Sequence, residues 1–319
     1  MKKTVFFLSL MFAQVVHAQT LKEAIAMTDN EQYEIAGDMF KSLLQKEPAN
    51  GTNWFYYGEN YFKSDNLDSA AIAYSKGLQA EPGNPINLVG TGKIKLEKGL
   101  NSEARADFDK ALTMSGSKTS LVQSEVAESF IRTKNKDLSY AIKLLNNAIA
   151  VDSKNAELYI LLGDAYSEQN NGTLAAENYN RALDLDKKAV KAIVQKGVLY
   201  KRSTNYEGAA SEFQSAIKLN PDFAPSYREL AETYFKMRKL EEAKQSYRKY
   251  LELSKNHSMA SMRYASVLFM SGDYADAQSE MNQLSSIDSS NIGMLRLSSY
   301  IAFEMNDIPK AKMLMEKIM

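Results

Sequence analysis

Small and bulky apolar positions recur along this chain at a fixed long interval, separated by polar stretches. Ala36, Ala70, Ala104, Ala141, Ala175, Ala209, Ala243, Ala277 and Ala311 follow one another in steps of 34 residues, with one step of 37. Four residues beyond each alanine stands a bulky group: Phe40, Tyr74, Phe108, Leu145, Tyr179, Phe213, Tyr247, Met281 and Met315. Twelve residues before the alanine stands a small one: Ala24, Gly58, Gly92, Gly163, Gly197, Ala231, Ala265 and Ser299, with Ala127 at a shifted place in the fourth unit. A large residue follows three later in most units, as at Met27, Tyr61, Phe130, Tyr166, Tyr200, Tyr234 and Leu268. Spacings of three and four keep side chains on one helical stripe. Each period therefore predicts two antiparallel helices, A and B. The small residue on A and the alanine on B let two backbones approach, and the bulky groups fill the space beside them. One such pair cannot bury its apolar face, so neighbours must stack. Pro48, Pro82 and Pro221 end helix B in three units, because proline cannot donate the helical hydrogen bond.

The pattern resembles the tetratricopeptide repeat (TPR), a 34-residue unit of the form W-x2-L-G-x2-Y…A-x3-F…P. The second unit carries Trp54, Tyr57, Gly58, Tyr61, Ala70, Tyr74 and Pro82, and the seventh Tyr227, Leu230, Ala231, Tyr234, Ala243 and Tyr247. The resemblance covers about residues 20–319. It implies an all-α fold, a TPR α-solenoid in a right-handed superhelix of about nine helix-turn-helix repeats. Their expected bounds are about 19–50, 51–84, 85–119, 120–155, 156–189, 190–223, 224–257, 258–291 and 292–319.

The 37-residue step lies between the third and fourth units. One extra residue falls in the Met114–Ser120 link and two in the Lys134–Ser139 turn. Ser-Gly-Ser interrupts helical periodicity. The link near 114–120 is either a harmless insertion or a joint that works as a hinge. At the other end, the last helix carries Met313, Leu314, Met315, Ile318 and Met319. A terminal unit exposes the face a successor would cover. This end is expected to pair with a second copy, to continue into more chain, or to serve as a cap.

Charge and composition narrow the picture. Lys2 and Lys3 precede a short apolar run from Val5 to Ala13, and Val16-His17-Ala18 supplies small residues before a cut. Residues 1–18 read as a signal peptide, with the mature chain beginning at Gln19. The apolar run is about half the roughly 20 residues needed to span a bilayer. The expected location is exported and periplasmic in a Gram-negative bacterium, soluble or peripheral to the envelope, with no transmembrane segment in the mature chain. The Ala18-Gln19 junction resembles exported proteins of the Bacteroidota. Lys+Arg and Asp+Glu balance at 39 each, so no basic excess points to nucleic acid. Cysteine is absent, which excludes disulfide support and a lipidated cysteine.

Catalytic chemistry has few groups to draw on. Once the signal is removed, His257 is the only histidine. A His/Cys metal cluster or a Cys-His pair is therefore unavailable, and a Ser-His-Asp triad would depend on His257 alone. Gly90-Thr91-Gly92 lacks the strand context and further glycine of a dinucleotide loop. The chain is not expected to be an enzyme or to carry a cofactor.

In TPR folds helix A lines the concave face, and its second, fifth, ninth and twelfth positions point inward. Carried over on that resemblance, the candidate groove contacts are Phe55, Glu59, Phe62, Lys93, Arg228, Glu232, Phe235, Met259, Met262, Phe269, Tyr300 and Phe303. The groove so read is apolar at both ends and charged in the middle. No ninth-position asparagine occurs in the units read, which disfavours the TPR subclass that clamps C-terminal carboxylates of chaperones. Nine of the 15 methionines lie beyond residue 258, and methionine suits adaptable binding surfaces. The expected function is a protein–protein interaction scaffold that takes a peptide or protein segment in the groove. The alternative is a structural oligomer that self-associates, as a homodimer through the C-terminal repeat.

Overall fold

The computed structural model describes residues 20–116, 120–254, 259–285 and 291–318, without the side chains of Met259 and Ser285. The signal peptide, His257 and part of the 114–120 link lie outside the described residues. Eighteen helices and no strand are found among the described residues. They pair as α1 (Leu21–Asp29) with α2 (Tyr33–Lys46), α3 (Gly51–Lys63) with α4 (Leu67–Ala80), and α5 (Ile86–Glu97) with α6 (Asn101–Ser115). Next come α7 (Ser120–Arg132) with α8 (Leu138–Val151), α9 (Ala156–Glu168) with α10 (Gly172–Leu185), and α11 (Val190–Arg202) with α12 (Tyr206–Leu219). The last pairs are α13 (Ala224–Lys236) with α14 (Leu240–Ser254), α15 (Met259–Met270) with α16 (Tyr274–Ser285), and α17 (Ile292–Glu304) with α18 (Ile308–Glu316).

The turn inside each hairpin is built the same way. Glu31, Asp65, Gly99, Asn170, Thr204, Arg238, Gly272 and Asn306 all have φ between 59° and 83°. One left-handed residue thus reverses the chain before helix B. In four of these units Asn66, Asn171, Asn205 or Asp307 follows and accepts a hydrogen bond from a backbone N–H in the new helix's first turn. This satisfies a donor that the helix itself leaves unpaired. The fourth hairpin is the exception. Its longer turn has no left-handed residue, yet Asp137 still caps α8 through Tyr140 N at 3.1 Å.

The packing follows the predicted small-large pairing. All nine repeating alanines are buried, and eight of the nine bulky partners are fully or nearly fully buried. A Cβ added at Gly58, Gly92, Gly163 or Gly197 would stand 2.3–2.5 Å from the ring of Tyr74, Phe108, Tyr179 or Phe213 respectively. Each glycine on helix A is therefore the seat for the ring on helix B of the same hairpin. Met315 departs from the expectation and is 41% exposed. Its counterpart Met281 is buried and packs in a cluster that includes Met294 and Ile301 of α17, whereas α18 has no following hairpin among the described residues.

The core does not break at the long step. One apolar cluster runs from Phe55 to Ala165, across the third and fourth units. Phe108 meets Phe130 edge-on at 5.3 Å, and the Arg105 guanidinium lies over Phe130 and Tyr140. Arg105 also pairs with Asp137 at 3.2 Å, and Asn135 donates to the Leu96 carbonyl. The extra residues of the fourth unit are thus tied back onto the third.

Candidate functional site

Successive hairpins stack so that the A helices line the inside of the coil. The coil curves far enough for its first turn to touch the sixth and seventh hairpins. Asp29, at the end of α1, pairs with Lys191 of α11 at 2.8 Å and with Lys63 of α3 at 3.0 Å. Glu31, the left-handed residue of the first turn, accepts from Arg228 of α13 at 3.1 Å and from the Tyr250 hydroxyl of α14 at 2.6 Å. Burial alone would raise the Asp29 pKa, but Lys63 and Lys191 hold it down at about 2.

The curve bounds an open cavity of about 940 Å³ lined by helices from the first to the seventh hairpin. Its wall carries seven basic and nine acidic side chains. Lys93 Nζ lies 2.8 Å from both carboxylate oxygens of Glu59, and the Tyr74 hydroxyl donates to the same carboxylate at 2.6 Å. The Lys93 ammonium also sits over the Phe62 ring. Arg132 reaches Asp164 at 2.6 Å, which also accepts from Tyr179. Lys136 and Arg202 converge on Glu168, and Lys191 bridges Asp29 and Glu157. Glu125 of α7 stands apart: its Oε2 is buried and has no hydrogen-bond partner. Burial and the neighbouring Glu128 push its pKa up. Glu128 is itself buried, which raises its pKa, but Lys63, Lys93 and Arg132 together hold it down.

The structure distributes the sequence-predicted contacts unevenly. Glu59, Phe62, Lys93 and Arg228 meet in the cavity wall. Phe55 is wholly buried, edge-on to Tyr56 and tilted against Tyr74, so it belongs to the interhelical core. At the N-terminal end the inner face carries Ile25, Tyr33, Tyr56 and Phe62 together with Glu59 and Lys93, while Phe55 turns into the core. Glu232 is held by Lys201 and Arg263. Phe235, Met262 and Phe269 are partly buried against the core of the seventh to ninth hairpins. Tyr300 and Phe303 are 48% and 62% exposed. The side chain of Met259 lies outside the described residues. Glu125 and Glu128 belong to the fourth unit, whose shifted register hides its groove positions from the 34-residue spacing. The contacts of Asp29 and Glu31 join residues more than 160 apart, which no local spacing signals.

Tetratricopeptide-repeat models match residues 21–85, 134–190, 190–223 and 212–245, together more than half of the chain. No curated protein matches in sequence. Among solved structures, PilF of Pseudomonas aeruginosa is similar with a TM-score of 0.53 and 20% identity, over 61% of this chain and 88% of that one. The human IFIT1 dimer with PPP-AAAA gives 0.57 at 14% identity, over 91% of this chain and 68% of that one. The APC/C hetero-tetramer Cut9–Hcn1 gives 0.55 at 19%, over 88% of this chain and 55% of that one. These likenesses concern the fold. No helix among the described residues is long and apolar enough to cross a membrane. With the family models matching more than half of its length and the hairpins stacked as the repeat requires, this chain belongs to the tetratricopeptide-repeat family, the repeats of which form protein–protein interaction scaffolds.

Proposed function

We propose that this chain is a non-enzymatic interaction scaffold of a bacterial cell envelope, and that it takes a peptide or protein segment on the inner face of its last hairpins. The observation that carries this reading is the contrast between the two ends of the coil. The first seven hairpins turn inward onto their own ion pairs. The last two leave aromatic and aliphatic surface uncovered, with the Phe303 and Tyr300 rings exposed and Met262 and Phe269 partly buried. Aromatic anchors of this kind dominate binding energy where they are desolvated by a partner. Export rests on residues 1–18, and a mature protein that begins at Gln19 by mass supports it.

Tyr300 and Phe303 are the sites to change, because they contribute little to the core. The Tyr300→Asp/Phe303→Asp double variant should keep the helicity of the parent and lose crosslinked capture of its envelope partner. Undiminished capture refutes the reading. A second reading is a self-associating structural oligomer, favoured by the exposure of Ile292, Ile308 and Met313 around the same hairpin. Sedimentation that shifts to dimer with rising concentration, and is abolished by Met313→Asp, would favour it over capture of a different protein.

A further inference from the structure

The cavity wall is nearly self-neutralised, and the exception is informative. Each of its seven cations makes an ion pair. Lys63 and Lys191 hold Asp29, Lys93 holds Glu59, and Arg132 holds Asp164. Lys136 and Arg202 share Glu168, while Arg228 holds Glu31 and Glu229. Of the nine carboxylates, eight have a cationic partner among the described residues. Glu125 has none, and its covered Oε2 receives no hydrogen bond from the wall. A carboxylate oxygen covered without a partner is costly, and such a group in a native structure calls for an explanation. No wall cation is left over to serve it.

We propose that the cavity binds a primary ammonium group at Glu125. The carboxyl without a cation fixes the sign of the ligand, and a tyrosine in the same lining suits the same chemistry. Tyr56 lines the same cavity, and a tyrosine ring face attracts a desolvated ammonium. The cavity, about 940 Å³, is within the size range of small-ligand sites. Glu125 is faced by Glu128 of its own helix, by Lys93 of α5, and by Glu59 and Lys63 of α3. In the empty cavity this surrounding favours the protonated carboxyl. An arriving ammonium supplies the counter-charge, so Glu125 gives its proton to solvent as the ligand binds.

The chemistry is shared by a free polyamine and by a lysine side chain of a bound peptide. Both are tested by calorimetric titration of the full chain, with spermidine as one probe and Nα-acetyl-lysine amide as the other. Nα-acetyl-norleucine amide is the uncharged control. At least one amine should bind with release of a proton, seen as an enthalpy that depends on the buffer, and the control should not bind. Glu125→Gln should weaken that amine at least about tenfold, abolish the proton release, and leave the helicity unchanged. Tighter binding of the blocked lysine assigns the site to a peptide side chain, and tighter binding of spermidine assigns it to a free polyamine. Absence of binding by both amines overturns the proposal, as does a wild type that binds without proton release or a Glu125→Gln variant that binds equally. The cavity is separate from the surface at Tyr300 and Phe303, so either proposal can fail without the other.

Discussion

At Gly163 a hydrogen stands where any other residue would place a carbon 2.4 Å from Cε1 of Tyr179. The ring cannot swing aside, because it is almost fully buried and its hydroxyl donates to Asp164 at 2.7 Å. Other units carry alanine at the same place, as at Ala231 opposite Tyr247, and both residues are buried there as well. The requirement for glycine is thus local to hairpins in which the partner ring occupies the Cβ position. Gly163→Ala should destabilise the protein by about 1–3 kcal/mol through overpacking. Thermal or urea unfolding measures this, and an unchanged midpoint would show that the hairpin can open without cost.

Between helices, the A helices of neighbouring units are joined by polar contacts as well as by apolar ones. Glu59 on α3 and Lys93 on α5 are both nearly inaccessible, and Tyr74 from α4 completes the set. Burial lowers the lysine pKa, but Glu59 and the other nearby carboxylates raise it overall, so the ammonium remains charged. Breaking one side of a buried pair strands the other charge, whereas replacing both by apolar groups of similar volume is often neutral or stabilising. Lys93→Met is therefore expected to cost about 3–5 kcal/mol. The Glu59→Met/Lys93→Met double variant should recover most of that loss. Chemical denaturation of the two variants decides it, and a double variant as unstable as the single one would mean that the pair contributes through packing of its stems.

Across the whole molecule, the contacts of Asp29 and Glu31 close the coil on itself. They link the first hairpin to the sixth and seventh through Lys191, Arg228 and Tyr250. Removing them leaves the stack intact, because each hairpin packs chiefly on its neighbours. The Asp29→Asn/Glu31→Gln variant should therefore stay helical while its radius of gyration grows in small-angle scattering. Asp29 has a folded pKa below its unfolded value. Its contribution, about 2 kcal/mol, is present above the ordinary carboxylate range and is lost as the pH falls toward about 2. The coil should accordingly remain closed in mild acid and open only near that pH. A wild type that expands at mildly acidic pH would show that Asp29 does not govern the closure.

The sequence by itself determined the unit and its interior. The recurrence of Ala36 through Ala311, with a ring four residues on and a small residue twelve before, specified the hairpins and which side chains pack between them. It did so because helix contacts are set by spacings of three and four within one short segment. Near-neighbour chemistry also marked the fourth unit as irregular, and the structure shows its turn built without the left-handed residue used elsewhere. The inner face was less legible. Glu59, Phe62, Lys93 and Arg228 line the cavity, whereas Phe55 lies in the core, since a rotation of a fraction of a turn decides whether a helical residue meets the lumen or the next helix. Only the tertiary structure decided that the first turn reaches Lys191 and Arg228, that a cavity is thereby bounded, and that Glu125 has no cationic partner among the described residues. Those facts depend on the small rotation from each hairpin to the next, summed over six of them. A pattern that repeats every 34 residues fixes each step but carries no record of where the accumulated curve brings its ends.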